Sequence, residues 1–190
     1  MNESRAPDLS AAAYWKAVAT LPMDRRQALA DIERFFVAGS VPEGLDGFHR
    51  GRLVATTLGY GLDLVPETLA RLWMPWKGKT FDSGTSEGRN VLSARGRFLA
   101  RLLWPRYRGI APFEPGLDTA FRFVTSAGES AANEGFQVLR IDYDLPDNPA
   151  WPIRRVLDEL VRVDEGLHLG QALLRLRGRW RRAAWFSLEA

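Results

Sequence analysis

Four polar side chains of the kinds that move protons or hold a ligand stand in strand-like segments: His49, Tyr143, Glu159 and His168. Histidine and glutamate serve as general acids and bases, and a tyrosine hydroxyl can polarise a carbonyl group. We therefore take His49, Glu159 and His168 as candidate catalytic residues and all four as candidate ligand-binding residues. The sequence does not single out any one of these three as the catalytic residue.

Alternation along the strands predicts that these groups share one face. If arginines mark the outer face of each strand, His49, Tyr143 and His168 point inward. The same rule points Glu159 inward and its neighbour Asp158 outward. A buried polar group that lacks a hydrogen bond costs about 1–3 kcal/mol. We therefore expect the four groups to meet in one cavity, paired with each other or with the polar end of a ligand.

Each of these residues also has a structural alternative. Either histidine could be a hydrogen-bonded interior or rim residue. Tyr143 could be a wall residue whose hydroxyl reaches a backbone carbonyl. Glu159 could pair with Arg155 or Arg162 on a helix surface, because that stretch of sequence also fits a helix.

Aromatic residues near these segments are candidates for the apolar wall of a binding site. Phe121 and Phe123 alternate with Arg122, which predicts that both rings point inward. We expect three tryptophans, Trp73, Trp76 and Trp104, to cover one end of the barrel or its core. Alternatively, a tryptophan at the mouth of the barrel forms a platform for a ligand. The predicted ligand contacts in this group are Trp76, Phe121 and Phe123.

The first forty residues predict two helices. Ser10 is a suitable cap for 11–21, and Asp24 with Gln27 three residues later has the spacing of a capping box. The second helix has an apolar stripe that another layer must cover. It consists of Ala28, Leu29, Ile32, Phe35 and Phe36. We expect residues 10–39 to brace or cover one end of the remaining fold, with the Phe35 and Phe36 stripe across that end.

From Gly47 onward a period of two predicts strands, with short helices near 66–73 and 95–104. Residues 152–163 fit either a helix or a strand, and we favour a helical turn followed by a strand from about Asp158. The result is about eight strands joined mainly by short turns, which favours a mainly β, antiparallel barrel over 44–190. We treat residues 1–190 as a single domain.

Three motifs occur in order: Gly44-Leu-Asp-Gly-Phe-His-Arg-Gly51, then Trp76-Lys-Gly-Lys-Thr-Phe-Asp82, then Ile141-Asp-Tyr-Asp144 with the segments at 155–163 and 166–170. Together they resemble small uncharacterised bacterial proteins with an N-terminal Gly-x-Trp-x-Gly module. Phe48 or His49 stands where the tryptophan of that module would fall. The resemblance implies a calycin-like (lipocalin-like) barrel that holds a small apolar ligand, and it implies no particular reaction.

Composition excludes several classes of protein. There are no cysteines, which excludes disulfides and thiolate metal sites and favours a reducing, cytoplasmic location. No apolar run is long enough to cross a membrane. The basic residues are 23 arginines and three lysines spread along the chain, unlike a nucleic-acid surface. The dense run from Arg175 to Arg182 is typical of a solvated hairpin, with an anionic ligand or a membrane surface as alternatives.

Three functions fit this pattern. The first is binding of a hydrophobic small molecule in the barrel, with its polar end held by His49, Tyr143, Glu159 or His168. The second is a cofactor-independent isomerase, cyclase or dehydratase that uses the same groups for acid–base chemistry. The third is b-type haem held by one histidine. No nucleic acid partner is expected, no metal site is predicted, and homodimerisation is left open.

Overall fold

The computed structural model describes residues 9–57 and 75–190. Helices α1 (Ala11–Ala19) and α2 (Arg25–Ala38) come first. They are followed by β1 (Gly47–Thr56), β2 (Trp76–Asp82), β3 (Glu87–Ser93), α3 (Ala94–Leu103), β4 (Ala111–Glu114), β5 (Leu117–Glu129) and β6 (Gln137–Asp142). A 3₁₀ turn (Ile153–Arg155) then leads into β7 (Val156–Asp164), β8 (Leu167–Leu176) and β9 (Arg179–Glu189). The helix expected over 66–73, including Trp73, lies outside the described residues.

The strands form a closed antiparallel barrel, as the sequence predicted. The order is β3-β2-β1-β9-β8-β7-β6-β5, and β3 pairs with β5 to close the ring of eight strands. The short β4 pairs with β5 outside this ring. Closure leaves the eight strands without a free edge, and all of their apolar inner faces meet in one interior.

The barrel interior forms the first of two cores. Rings from β2, β5 and β9 fill it with the ring of Tyr143, just after β6, together with aliphatic side chains from β7 and β9. Its buried residues include Phe81, Phe121, Phe123, Tyr143, Leu160, Phe186 and Leu188. This core surrounds the cavity described below.

The second core lies between the outer wall of the barrel and the two N-terminal helices. Asp24 caps α2 by accepting from the backbone N–H of Gln27 at 2.9 Å. The α2 stripe then packs on the wall, where the Phe36 ring lies 5.3 Å from Trp185 and 5.7 Å from Phe136. The prediction that the stripe lies across one end of the barrel is therefore wrong. The outer wall carries buried apolar residues on β6 to β9, namely Val138, Val161, Leu169 and Trp185, and these give the stripe an apolar surface to pack on.

An end of the barrel is covered instead by α3. Its small residues Gly96 and Ala100 are buried, and Gly96 packs so closely on Pro75 and Leu92 that a Cβ would clash. Trp104, just beyond the helix, packs edge-on against the Phe121 ring at 5.5 Å. None of the described helices is long and apolar enough to span a membrane.

Two irregularities change which residues face inward. The pairing register shifts in β1 between Leu53 and Ala55, and in β2 between Trp76 and Gly78. Gly78 adopts a φ of 145°, which residues with a side chain rarely reach. As a result Trp76 and Lys79, three positions apart, both line the interior.

Candidate functional site

The interior contains a cavity of about 70 Å³ that is partly open to solvent, so it can hold several water molecules or one end of a larger organic molecule. Its walls are mainly aromatic and aliphatic, and a small polar group lies on one side. The apolar walls are formed by Leu53, Trp76, Leu92, Phe121, Ile153, Val156, Ala172, Ala184 and Phe186. The polar side is formed by Lys79, Asn90, Tyr143 and Asp158.

Lys79 is the centre of the polar side. It is only 2% exposed, and its Nζ donates to Asp158 Oδ2 at 2.8 Å, to Asn90 Oδ1 at 2.9 Å and to the Tyr143 hydroxyl. A protonated lysine has three N–H donors and no acceptor, so these three partners use all of them. Lys79 is therefore a fully satisfied ammonium held against the Asp158 carboxylate.

Asn90 and Tyr143 hold this ion pair in a fixed orientation. The Asn90 amide donates to the Tyr143 hydroxyl at 3.1 Å, and its oxygen accepts from Trp76 Nε1 at 3.0 Å. The Tyr143 hydroxyl in turn donates to Asp158 Oδ2 at 3.0 Å. Four strands, β2, β3, β6 and β7, meet near these groups, so closure of the barrel is what brings them together.

Aromatic rings surround the ammonium on its apolar side. Lys79 Nζ lies 5.1 to 5.4 Å from the ring centres of Tyr143, Phe123, Phe186 and Trp76. Ring faces carry partial negative charge and attract a cation within about 6 Å. These rings offset part of the free energy that removal of the ammonium from water costs.

Burial controls the titration of these groups. Loss of hydration lowers the pKa of Lys79, and the adjacent Asp158 carboxylate opposes that effect. Burial also raises the pKa of Tyr143 well above its usual value, and the negative charge of Asp158 adds to the increase. Tyr143 is therefore a neutral hydroxyl at any physiological pH, able to donate one hydrogen bond.

Asp158 keeps one oxygen available. Its Oδ2 accepts from Lys79 and Tyr143, whereas Oδ1 receives no hydrogen bond from any residue in the described ranges. Oδ1 is not fully buried, and Asp158 lines the cavity. This oxygen is therefore an acceptor that a molecule inside the cavity can reach.

The predicted site residues fall into two groups. Tyr143, Trp76 and Phe121 line the cavity, and Phe123 packs beside it against Tyr143 at 5.5 Å between ring centres. His49, His168 and Glu159 do not line it.

The inward orientation predicted for Glu159 is wrong. Its carboxylate lies on the outer wall, where it accepts from the Ser130 hydroxyl at 2.7 Å, the Ala131 N–H at 2.6 Å and Gln171 Nε2 at 2.6 Å. Gln171 in turn accepts from Arg182, which pairs with Glu33 of α2 at 2.9 Å. Glu159 therefore joins β7 to the helical layer, and neither Arg155 nor Arg162 is its partner.

The two histidines lie together near the end of the barrel where β1 and β8 begin. Their ring centres are 5.7 Å apart, and the His49 Nε2 lies 3.2 Å from the carbonyl oxygen of Asp46. Burial lowers the pKa of both rings, to about 4 for His168, where His49 and Arg162 add to the effect. Both are neutral at pH 7, and each leaves a buried Nδ1 without a partner in the described residues.

No group of three or more histidines, aspartates or glutamates suited to hold a metal occurs in the described ranges. The histidines that could ligate haem iron are off the cavity wall, and the cavity itself is far smaller than the macrocycle.

Sequence reasoning missed Lys79, Asn90 and Asp158. Lys77 and Lys79 share a parity, and a regular strand would place both outside. The register shift before Gly78 leaves Lys77 exposed and turns Lys79 inward. The glycine between the two lysines was the available signal, because an isolated glycine in a strand often marks a bulge.

Comparison with known proteins gives information about the fold alone. No family model matches this chain, and no curated protein does. A solved crystal structure of a protein from Thermomonospora curvata is similar to it, with a TM-score of 0.51 and 16% sequence identity. The match covers 94% of this chain and 97% of that one, so most of the length of each chain shares one overall fold.

Proposed function

We propose that the barrel binds a small, mainly apolar molecule whose polar end is a neutral hydrogen-bond donor, such as an alcohol, a phenol or an amide N–H. The single observation that carries this proposal is the arrangement of the cavity: aromatic and aliphatic walls around one available acceptor, Asp158 Oδ1. Binding sites of this kind combine apolar walls with a few polar groups that fix orientation. The resemblance to calycin-like proteins supports the same class of function.

The charges at the site argue against an anionic ligand. All three N–H groups of Lys79 are occupied, so the ammonium has none left for a carboxylate. The available oxygen of Asp158 would repel an anion directly. A cationic head would meet Lys79 within the same small space, and a neutral donor avoids both repulsions.

Three toluenes with different groups at the para position test the proposal. 4-Methylphenol has a donor, 4-methylanisole has only an acceptor, and 4-methylbenzoate is an anion. A hydrogen bond to a charged acceptor contributes about 1.5–3 kcal/mol, so isothermal titration calorimetry should show 4-methylphenol binding at least about tenfold more tightly than either of the others. Equal affinities, or tighter binding of the benzoate, would overturn the proposed head group.

Two variants assign the effect to the cavity. Asp158→Asn should weaken 4-methylphenol binding about tenfold and leave 4-methylanisole unchanged. Glu159→Gln is the matched control, because it neutralises the adjacent carboxylate on the same strand without touching the cavity wall. Ala184→Met should fill the cavity and weaken every ligand, and unchanged binding in that variant would place the ligand elsewhere.

A second candidate function is proton transfer on a bound carbonyl compound. The observation that favours it is the pairing of an acid and a base at one wall, since Tyr143 is a neutral hydroxyl and Asp158 Oδ1 is an available carboxylate oxygen. Asp158 would take a proton from the carbon next to the carbonyl, and the single O–H of Tyr143 would turn from Asp158 Oδ2 to the enolate oxygen.

Deuterium exchange measures this step directly. NMR of 4-methylacetophenone in deuterated buffer should show the acetyl protons exchanging faster with the protein than without it, and Asp158→Asn should abolish the increase. Exchange at the buffer rate would leave binding as the whole function.

A further inference from the structure

The outward face of α3 is apolar although it has no partner in the described structure. Phe98 is 66% exposed and Leu102 65%, while Gly96 and Ala100 on the opposite side are buried against the barrel. Phe98 and Leu102 are four residues apart, so their side chains are neighbours on one face of the helix. Large apolar side chains exposed side by side are typical of an interaction surface.

Positive charge borders this apolar face. Arg95, Arg97, Arg101, Arg106 and Arg108 are all exposed, and the sequence has no acidic residue from Gly88 to Phe113. Arg97 is paired with Asp118 at 3.3 Å. The others contact no acidic side chain in the described ranges. The helix therefore has an apolar ridge with cationic groups beside it.

Trp151 extends the same surface. It is 50% exposed, and its carbonyl oxygen accepts from Trp104 Nε1 at 2.9 Å, just past the end of α3. The guanidinium of Arg155 lies 5.7 Å from its ring centre. Tryptophan and arginine side by side are characteristic of residues that sit at the boundary between lipid and water.

The arginine-rich hairpin lies at this end of the barrel too. In the β7–β8 pairing, Leu174 lies opposite Val156, which directly follows the turn that begins near Trp151. The chain then reverses at Arg177 and Gly178 between β8 and β9. The exposed arginines of this hairpin are Arg175, Arg177, Arg179 and Arg181.

We infer that this end of the barrel docks on an anionic lipid surface, with Phe98, Leu102 and Trp151 inserted and the arginines against the headgroups. An amphipathic helix that lies in the interface needs an apolar face and flanking cations, which α3 has. Nucleic acid would satisfy the arginines but would leave the aliphatic side chains without a partner. This inference is independent of what the cavity holds.

Vesicle sedimentation tests the inference on the full chain. The probes are vesicles of phosphatidylcholine alone and vesicles in which about a third of the lipid is phosphatidylglycerol. The protein should sediment with the anionic vesicles only, and high salt should reduce the bound fraction. Equal sedimentation with both vesicles, or with neither, would overturn the inference.

Two double variants locate the surface. Phe98→Ser with Leu102→Ser should reduce the partition coefficient at least about tenfold, and Arg101→Glu with Arg106→Glu should do the same. All four side chains are exposed, so the circular dichroism spectrum and melting temperature should change little. The matched control is Arg50→Glu with Arg162→Glu, which makes the same charge change at the opposite end of the barrel.

Loss of vesicle binding in the control variant would contradict the inferred surface. If it loses as much binding as Arg101→Glu with Arg106→Glu, the attraction is due to overall charge and the surface is not at α3. If Phe98→Ser with Leu102→Ser instead converts a dimer to a monomer in size-exclusion chromatography and leaves vesicle binding unchanged, the face is an interface between two copies of the chain.

Discussion

Replacing Lys79 with methionine should have a large and specific effect on stability. Methionine keeps an apolar chain of similar length but removes the ammonium, so Asp158 loses its 2.8 Å ion pair and keeps only the Tyr143 hydroxyl as a described donor. Removing one partner of a buried ion pair costs about 3–5 kcal/mol, because the other charge stays buried without compensation. That cost is a large part of the 5–15 kcal/mol that stabilises an ordinary domain.

A double-mutant cycle separates this effect from simple loss of packing. Lys79→Met with Asp158→Asn leaves neither charge in the barrel, so the double variant should be more stable than Lys79→Met alone and the coupling energy should be about 2 kcal/mol or more. Urea unfolding, followed by circular dichroism, measures each free energy of unfolding. Lys77→Met, an exposed lysine on the same strand, is the control and should change the free energy by less than about 0.5 kcal/mol.

Additive effects of the two substitutions would refute this reasoning. A loss below about 1 kcal/mol for Lys79→Met would refute it as well, because such a small loss belongs to an exposed, solvated pair.

Three other changes should follow from the same structure. The pKa of His168 is about 4 in the folded protein against 6.5 when exposed, so the unfolded state binds the proton first and the free energy of unfolding should fall as pH drops from about 6.5 to 4. The largest contribution to this fall is about 3 kcal/mol, which partial solvent screening reduces to about 1–2 kcal/mol. His168→Gln should therefore flatten this part of the curve of urea midpoint against pH. Gly170→Ala should destabilise the barrel by about 1–3 kcal/mol in the same assay, since a Cβ there would overlap the Phe186 ring; an unchanged midpoint would mean that Phe186 can move. Phe36→Ala should cost about 3–5 kcal/mol by leaving a cavity above Trp185, and a loss under 1 kcal/mol would show that α2 is not firmly packed on the wall.

The barrel was predictable because alternation and turns are local signals. Phe121 and Phe123 alternate with Arg122, and both rings face the interior. Asp24 and Gln27 fixed the start of α2, which the cap confirms. The helical turn before β7 was also predicted, and the strand begins at Val156.

Alternation failed where both faces of a strand are buried. In β7 the inner face packs in the barrel and the outer face packs under α2, so Leu160 and Val161 are both fully buried. Polarity then cannot distinguish the inner face from the outer face. The alternation rule therefore placed Glu159 inside and Asp158 outside, which is the reverse of the structure. Their roles became clear only from their partners, Lys79 for one and Ser130 for the other.

The candidate site was harder to predict because it depends on long-range pairing. Lys79 and Asp158 are 79 positions apart, and they meet only when the barrel has closed with the correct registers. A local rule that places charged residues outside gives the wrong answer for an ion pair in the interior. Tyr143 was predicted to point inward because it alternates with Arg140 and Asp142, and it lines the cavity.

The most direct test of the central claim is a crystal structure of the protein with 4-bromophenol, in which anomalous scattering locates the bromine. We predict that the ring lies inside the barrel against Trp76 and Phe186, with its hydroxyl within hydrogen-bond distance of Asp158 Oδ1. A bromine signal confined to the outer surface, or a ring inside the barrel whose hydroxyl points away from Asp158, would contradict the proposed binding site.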